Sequence, residues 1–441
     1  MQDIIQELTW RGLIHQMTSP DTLADWLMEK PRTVYVGFDP TADSLHVGHL
    51  VALMNLRRFQ QFGHRPIALA GGATGTIGDP SGKSEERNLL SKEQIEENIK
   101  GIKVQFQQFL RFDDSTTGYS APGSVNGALL VNNADWLSPM LYIDFLRDVG
   151  KHFPVSMMMA KDSVRLRLDN TDSGLSFTEF SYMLMQSYDF VHLYKTYNCE
   201  MQLGGSDQWG NITMGCEYAR RVGLGGQLQG LTSPLLTKSD GGKMGKTESG
   251  TLWLDPRRTP PYQFYQYWIN LDDADVEKTL KIFTDLTQTE IAEVTTIHQA
   301  DPGRRTAQRT LADELTRLVH GEVGLSAAKK ATEIFFGGEI SRSACGALDD
   351  AALCSIFVDV PSKELPKQRL SEGLSLIDAL VESGLSPSRS EARRTIQQGG
   401  AYVNNCPMSE VNTLLTGEHL ASESVLVLRT GKKKYALLRF R

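Results

Sequence analysis

The chain has 441 residues, 40% of them hydrophobic and 22% charged, with a formal net charge of −7. That length exceeds one ordinary core and implies two or three domains, and the composition excludes a disordered chain. No apolar run approaches the roughly 18–20 residues of a membrane span, so no membrane association is expected. Five scattered cysteines (Cys199, Cys216, Cys345, Cys354, Cys406) never form CxxC. That argues against a disulfide framework or a cysteine zinc knuckle, and for a reducing cytoplasm. The charge is uneven. Residues 366–441 hold 11 Lys and Arg against 7 Asp and Glu, so a tail of net +4 follows a body of net −11. The acidic whole does not suggest a general nucleic-acid binder; the basic tail keeps that role open for one part.

The first 16 residues, MQDIIQELTWRGLIHQ, predict an amphipathic helix and lack the basic start and apolar block of a signal peptide. "TVYVGF" (33–38) predicts a strand, ended by Asp39-Pro40. A helical pattern covers about 46–62, and "PIALAGG" (66–72) predicts a second buried strand. A glycine-rich polar loop leads to an amphipathic helix over 91–112. "GALLVNN" (127–133) predicts a third strand, 139–153 a helix, and "CEMQLGG" (199–205) a fourth strand. Strands alternating with helices imply a parallel, doubly wound, Rossmann-like α/β sheet. Ligands of such sheets bind beyond the carboxyl ends of the strands. The polar stretches "GFDPT", "GGATGTIGDPSGK" and "GGSDQWG" fall there. Residues 253–350 are mostly helical in pattern, "PSKELPKQ" (361–368) reads as a linker, and a compact α+β unit ends the chain. The expected domains are 1–252, 253–350, a linker over 351–370, and 371–441.

Two glycine loops fail as nucleotide motifs. "GDPSGKS" (78–84) would need Gly at position 77, where Ile77 stands, to be a phosphate loop. "GLGGQLQG" (223–230) has Leu228 where GxGxxG needs glycine. In "LHVGHL" (45–50), His46 and His49 share one helical face. Zinc would want further ligands and a carboxylate, as in HExxH, and none stands nearby. Gly48 early in a helix costs up to about 1 kcal/mol and signals a close approach. Two imidazoles beside bare backbone at a helix N-terminus suit a phosphate or nucleotide. "GGKMGKT" (241–247) carries Lys243 and Lys246 on a flexible loop, with a solvated surface loop as the plain alternative.

Together these features resemble a class I aminoacyl-tRNA synthetase. "HVGH" is similar to that class's HIGH signature. "KMGKT" is similar to KMSKS, with Gly245 and Thr247 replacing the serines. "YVGFDPTADSLHVGHL", "GGATGTIGDPSGK", "FTEFSYMLMQSYDF" and "LGGSDQWGNI" resemble the bacterial tyrosyl-tRNA synthetases, and the last unit resembles the small RNA-binding fold that family carries. The related tryptophanyl enzymes are not expected to have this tail. The resemblance implies that Tyr35 and Asp189 hold a phenol hydroxyl. Asp79, Tyr182 and Gln186 would hold an ammonium group, and Gln202 would line the pocket. Gly37, Asp39, Gly48, Asp207 and Gln208 would position the nucleotide. Thr41, His46 and His49 would meet ATP phosphates, with Lys83, Arg87, Lys243, Lys246 and Thr247 toward pyrophosphate. Ala52 departs from relatives that place threonine near the ribose.

The implied reaction is tyrosine activation by ATP, then transfer to tRNA(Tyr). The nucleophilic carboxylate is already ionised at neutral pH, so alignment and charge neutralisation suffice, and no general base is required. Mg²⁺ would arrive with ATP, with no dedicated protein metal site. The family also implies a homodimer, with one tRNA spanning two subunits. Arg389, Arg393, Arg394 and Lys432, Lys433, Lys434 are the expected RNA-phosphate contacts. Tryptophan specificity is one alternative, and two more stand beside it. One is an RNA-binding protein on a degenerate scaffold, which would bind tRNA without forming adenylate. The other, for Asp189 alone, is a helix-face residue paired with Lys195.

Overall fold

The computed structural model describes residues 2–81, 90–112, 126–169, 174–224, 228–247, 250–335, 350, 353–354, 357, 360–431 and 434–441. The chain forms two units: Met1–Thr259 with Trp268–Val319, and Pro260–Tyr267 with His320–Arg441. In the first, β1 (Gln16–Met17), β2 (Thr33–Phe38), β3 (Arg65–Ala70), β4 (Leu129–Asn132), β5 (Cys199–Gly205) and β6 (Gln229–Ser233) make one sheet in the order β1-β6-β5-β2-β3-β4. Every neighbouring pair is parallel except β1 with β6. The four strands expected from the sequence are β2, β3, β4 and β5, which lie side by side. β1 and β6 escaped notice because one is two residues long and the other, "QGLTS", has no apolar run or alternation.

The connections run outward from β2 through β3 to β4 on one side, and from β5 to β6 on the other. The order therefore reverses between β2 and β5, where Tyr35 and Gln202 are register partners. That reversal is the place for a ligand at the strands' carboxyl ends. Three long helices bring side chains to it: Val47–Gln61 after β2, Phe177–Tyr197 before β5, and Trp209–Arg221 after β5. Helix Phe177–Tyr197 starts at a capping box, with Ser176 and Glu179 each satisfying the other's backbone N–H. Glu179 also forms a buried ion pair with Arg167 at 3.0 Å.

Elsewhere the structure corrects the expectation. The N-terminal helix stops at Trp10, and the rest of that stretch leads into β1. Instead of one helix over 139–153 there is Tyr142–Asp148 followed by a 3-10 turn at Gly150–His152. Helices Asp273–Phe283 and Gln288–Ala300 lie in the first unit, matching the helical pattern read there. Helix Thr306–Phe335 is broken at Gly321, which takes φ 70°. Two short strands, β7 (Lys246–Thr247) and β8 (Gly250–Thr251), close the loop after β6.

In the second unit, β9 (Ser362–Leu365) falls inside the stretch expected as linker. It pairs in parallel with the last strand and buries Leu365. A single apolar side chain in a lysine-rich stretch gave no visible periodicity, and the pairing supplies the rest. β10 (Leu374–Ser375) pairs with β13 (Leu414–Leu415). β11 (Ala401–Val403), β12 (Cys406–Met408), β14 (Val425–Thr430) and β15 (Lys434–Phe440) join β9 in the order β12-β11-β14-β15-β9. Helices Leu376–Glu382 and Arg389–Gln397 bury Leu380, Ala392 and Ile396 in a core shared with Leu426, Leu428 and Leu438.

Removing one partner of a buried pair strands the other charge in low dielectric. Glu179→Ala is therefore expected to cost about 3–5 kcal/mol, read as a lower urea midpoint. A midpoint unchanged from wild type would show that Arg167 finds another partner.

Candidate active site at the sheet reversal

The floor of the reversal is polar and dry. Tyr35 and Asp189 are each 1% exposed and Gln202 is 3% exposed. The Tyr35 hydroxyl and Gln202 Oε1 are buried without a hydrogen-bond partner. Native interiors rarely leave such atoms unsatisfied, and each is an opening for a ligand. Asp189 does not pair with Lys195. It accepts from Asn133 Nδ2 at 2.9 Å and from Trp136 Nε1 at 2.7 Å. Burial pushes its carboxyl up to about 7, against the opposing pull of those two donors. Burial likewise raises the Tyr35 and Tyr182 phenols well above their ordinary value, so both remain donors.

A chain of hydrogen bonds leads from Asp189 along the strand ends. Asn133 Nδ2 also donates to Thr74 Oγ1 at 2.9 Å, Thr74 Oγ1 donates to Asp39 Oδ1 at 2.9 Å, and Tyr182 OH donates to Asp39 Oδ2 at 2.9 Å. A second chain covers the opposite wall. Asn211 donates to Gln186 Oε1 at 2.9 Å, Gln186 donates to Gln208 Oε1 at 3.2 Å, and Gln208 donates to Asp79 Oδ2 at 2.7 Å. Asp207 lies beside Gln208, whose Nε2 reaches its Oδ2 at 3.3 Å. Gly37 is the one exposed residue of β2, and a Cβ built there would meet nothing within 4 Å.

The structure thus brings Tyr35, Asp39, Asp79, Tyr182, Gln186, Asp189, Gln202 and Gln208 together. Sequence reasoning missed Thr74, Asn133, Trp136 and Asn211. Asn133 ends the predicted strand "GALLVNN", and two asparagines closing an apolar run were the available signal.

The two histidines have a structural role as well. His46 is the N-cap of helix Val47–Gln61, and its Nδ1 accepts from the Gly48 N–H at 3.0 Å. His49 Nδ1 accepts from the His46 N–H at 3.1 Å, completing a capping box made of imidazoles. With Nδ1 an acceptor in each neutral ring, the ring proton sits on Nε2. The rings lie against each other with centroids 4.0 Å apart and planes tilted by 32°. A Cβ on Gly48 would fall 2.7 Å from His46 Cε1, so the glycine makes room for its own capping ring. Among the described residues no three His, Cys, Asp or Glu side chains are grouped to hold a metal.

The KMGKT loop rests on this helix start. Gly245 has φ +81°, and a Cβ there would lie 2.6 Å from Val47 Cβ. The Leu252 N–H donates to Gly245 O at 2.8 Å, and the Val47 N–H donates to Leu252 O at 3.1 Å. Lys243 and Lys246 are exposed on the loop, as is Thr41 near the helix start, and the Thr247 backbone pairs with Gly250. Ala52 is half-buried on the helix. Lys83 and Arg87 lie outside the described residues, as do Lys432 and Lys433. In the second unit Arg389, Arg393, Arg394 and Lys434 are exposed, and Arg389 pairs with Asp378 at 3.0 Å.

Above pH 7 the Asp189 carboxylate is an acceptor; below it the group becomes a neutral acid. Affinity for a phenol ligand is expected to fall as pH drops from about 8 to about 6, and Asp189→Asn is expected to flatten that dependence, both read by calorimetry. A pH-independent affinity in the unsubstituted protein would remove Asp189 from the acceptor role.

With the geometry in place, comparison with known proteins is direct. The family model described as tRNA synthetases class I (W and Y) matches residues 28–337. The tyrosine–tRNA ligase SYY-like C-terminal domain matches residues 353–438. The chain is 54% identical to the tyrosine–tRNA ligase of Rhodopirellula baltica, over 99% of this chain and 96% of that one. It is 50% identical to that of Geobacillus stearothermophilus, over 99% and 100%. A C-terminally truncated mitochondrial tyrosyl-tRNA synthetase from Aspergillus nidulans superposes with TM-score 0.66 at 32% identity, covering 76% of this chain and 95% of that one. The chain therefore belongs to the class I tRNA synthetases of the W and Y type, and within them to the tyrosine–tRNA ligase family.

Proposed function

We propose that this chain is an ATP-dependent tyrosine–tRNA ligase that forms tyrosyl-adenylate and pyrophosphate and then esterifies the terminal ribose of tRNA(Tyr). The observation that carries it is the pair of buried, unpartnered atoms, Tyr35 OH and Gln202 Oε1, beside Asp189 at the sheet reversal. A phenol hydroxyl between Tyr35 and Asp189 would satisfy the first and donate to the second. Phenylalanine would leave the Tyr35 hydroxyl unpaired and give Asp189 no third donor, the kind of loss behind the family's roughly 10⁵ preference for tyrosine. Asp79, Tyr182 and Gln186, one wall away, suit the substrate ammonium.

The tyrosine carboxylate attacks the α-phosphorus of ATP, a new acyl–phosphate bond forms, and the bond to pyrophosphate breaks. Charge on the phosphate oxygens is met by the Nε2 donors of His46 and His49, by Thr41, and by Lys243 and Lys246, with Lys83 and Arg87 added by family resemblance. Gly37, Asp39, Asp207 and Gln208 would flank the nucleotide, with the exposed backbone of Gly37 leaving it room. In this reading Mg²⁺ travels with the ATP phosphates.

The exposed arginines of helix Arg389–Gln397 and Lys434 suit RNA phosphates, and residues 253–350 would lie on the anticodon side. In this reading the chain is a homodimer, and the exposed apolar side chains of Leu141, Tyr142, Ile143, Val155, Met159 and Phe177 are available to a subunit interface. The free thiols of Cys199, Cys216, Cys354 and Cys406 suit the cytoplasm.

Exchange of labelled pyrophosphate into ATP is expected with tyrosine and not with phenylalanine or tryptophan; exchange supported by tryptophan alone would overturn the specificity, and none at all the ligase. His46→Ala should cost about 1 kcal/mol by loss of the cap. His46→Asn keeps a cap acceptor and loses the Nε2 donor. It is expected to leave the unfolding midpoint near wild type while slowing exchange roughly 10²-fold. Full exchange activity in the asparagine variant would show that the imidazole is a cap only.

A further inference from the structure

One helix touches both the loop that leads into KMGKT and the far end of the helix that begins at HVGH. Helix Asp273–Phe283 begins at Asp272, and Asp275 stands in its first turn, where helix polarity favours a carboxylate. An acid at this position commonly folds back onto the helix's own cap. Asp275, only 3% exposed, instead reaches the loop that precedes KMGKT. It accepts the Ser239 N–H at 2.9 and 3.1 Å and the Ser239 hydroxyl at 3.1 Å. From Ser239 the restraint passes directly to the lysines. The Lys238 N–H donates to Gly242 O at 2.8 Å, and an antiparallel bridge joins Thr237 to Lys243.

The other end of the same helix is held by the HVGH helix. Arg58 donates to Ile282 O at 2.7 Å and to Thr284 O at 3.0 Å, and Arg57 pairs with Asp285 at 2.6 Å. Arg11 adds a donor to Lys281 O at 2.6 Å. These guanidinium groups satisfy carbonyls at the helix C-terminus and just beyond it, which would otherwise be buried without partners. The contacts close a ring: HVGH helix start, Gly245, Ser239, Asp275, helix Asp273–Phe283, Arg57 and Arg58, and back along the HVGH helix.

We propose that Asp275 is a positioning residue for the KMGKT lysines and that helix Asp273–Phe283 is the strut that fixes their distance from His46 and His49. Asp275 touches no substrate. It acts through Ser239, by removing freedom from the loop before ATP arrives. Transition-state charge is stabilised cheaply only by groups already in place, so loosening this anchor taxes the ATP-dependent step and spares the tyrosine pocket. The inference rests on the ligase reading above.

The test measures pyrophosphate exchange by the full-length protein, with kcat and KM for ATP and for tyrosine determined separately, alongside unfolding midpoints. Wild-type exchange is the control: if it is absent, the ligase reading fails and the strut is not the cause. Asp275→Ala is expected to lower kcat/KM for ATP by about 10- to 100-fold with the tyrosine dissociation constant unchanged. Asp275→Asn, which retains an acceptor for the Ser239 N–H, is expected to lose less. Ser239 is exposed, so Ser239→Ala keeps the fold even if Asp275→Ala does not. It is expected to lower kcat/KM for ATP about threefold alone and to add little to Asp275→Ala, because both act through one contact. Wild-type ATP kinetics in Ser239→Ala and Asp275→Asn, or equal losses for ATP and tyrosine, would overturn the proposal.

Discussion

A carboxylate at 1% exposure must be given donors or it will not stay ionised, and Asp189 sets that condition for the whole site. Asn133 and Trp136 meet it, and both come from the segment that closes β4. Asn133 in turn holds Thr74 beyond β3, and Thr74 holds Asp39 beyond β2. The carboxyl ends of three parallel strands are thus tied together by side chains rather than by ladder hydrogen bonds. In the function proposed above, the same links run from the phenol end of the pocket toward the nucleotide end, so one network would both lock the fold and space the two substrates.

The network is not complete, and the incompleteness has a cost. Tyr35 OH and Gln202 Oε1 are orphaned in the interior. Each such atom costs about 1–3 kcal/mol, which a well-matched ligand returns. The fold tolerates this because the apolar layer beneath, built from Phe190, Leu193, Cys199 and Met214, is continuous. Stability given up at the strand ends is offset in the core. An apolar pair at positions 35 and 202 would fold at least as well and recognise nothing polar.

The HVGH helix shows the same economy at its two ends. At its start, each imidazole uses Nδ1 to cap the backbone, which places its ring proton on Nε2. A serine or aspartate would cap as well and offer no such donor. At its end, the buried Arg58 is lowered to about 9, first by burial and then by the neighbouring Arg11, a strain accepted so that the carbonyls beyond helix Asp273–Phe283 are satisfied. A helix so held cannot shift along its axis without breaking contacts at both ends.

The sequence by itself determined the central strands and helices, because β-branched and apolar runs closed by Gly, Asp-Pro or Asn specify buried parallel strands without further context. It also pointed, through the family resemblance, to residues that the structure gathers at the sheet reversal. Tyr35, Asp79, Tyr182, Gln186, Asp189, Gln202 and Gln208 were legible through their motifs. Only the tertiary structure decided how they are held. The links Asp189–Asn133, Thr74–Asp39 and Asp275–Ser239 join residues 35 to 56 positions apart, and no periodicity records such pairs. It also decided that Gly48 clears space for the His46 ring, that Ser362–Leu365 is a strand, and that β1 and β6 complete the sheet. Short edge strands and polar links carry little local propensity, so their conformation is imposed by the partner they pair with.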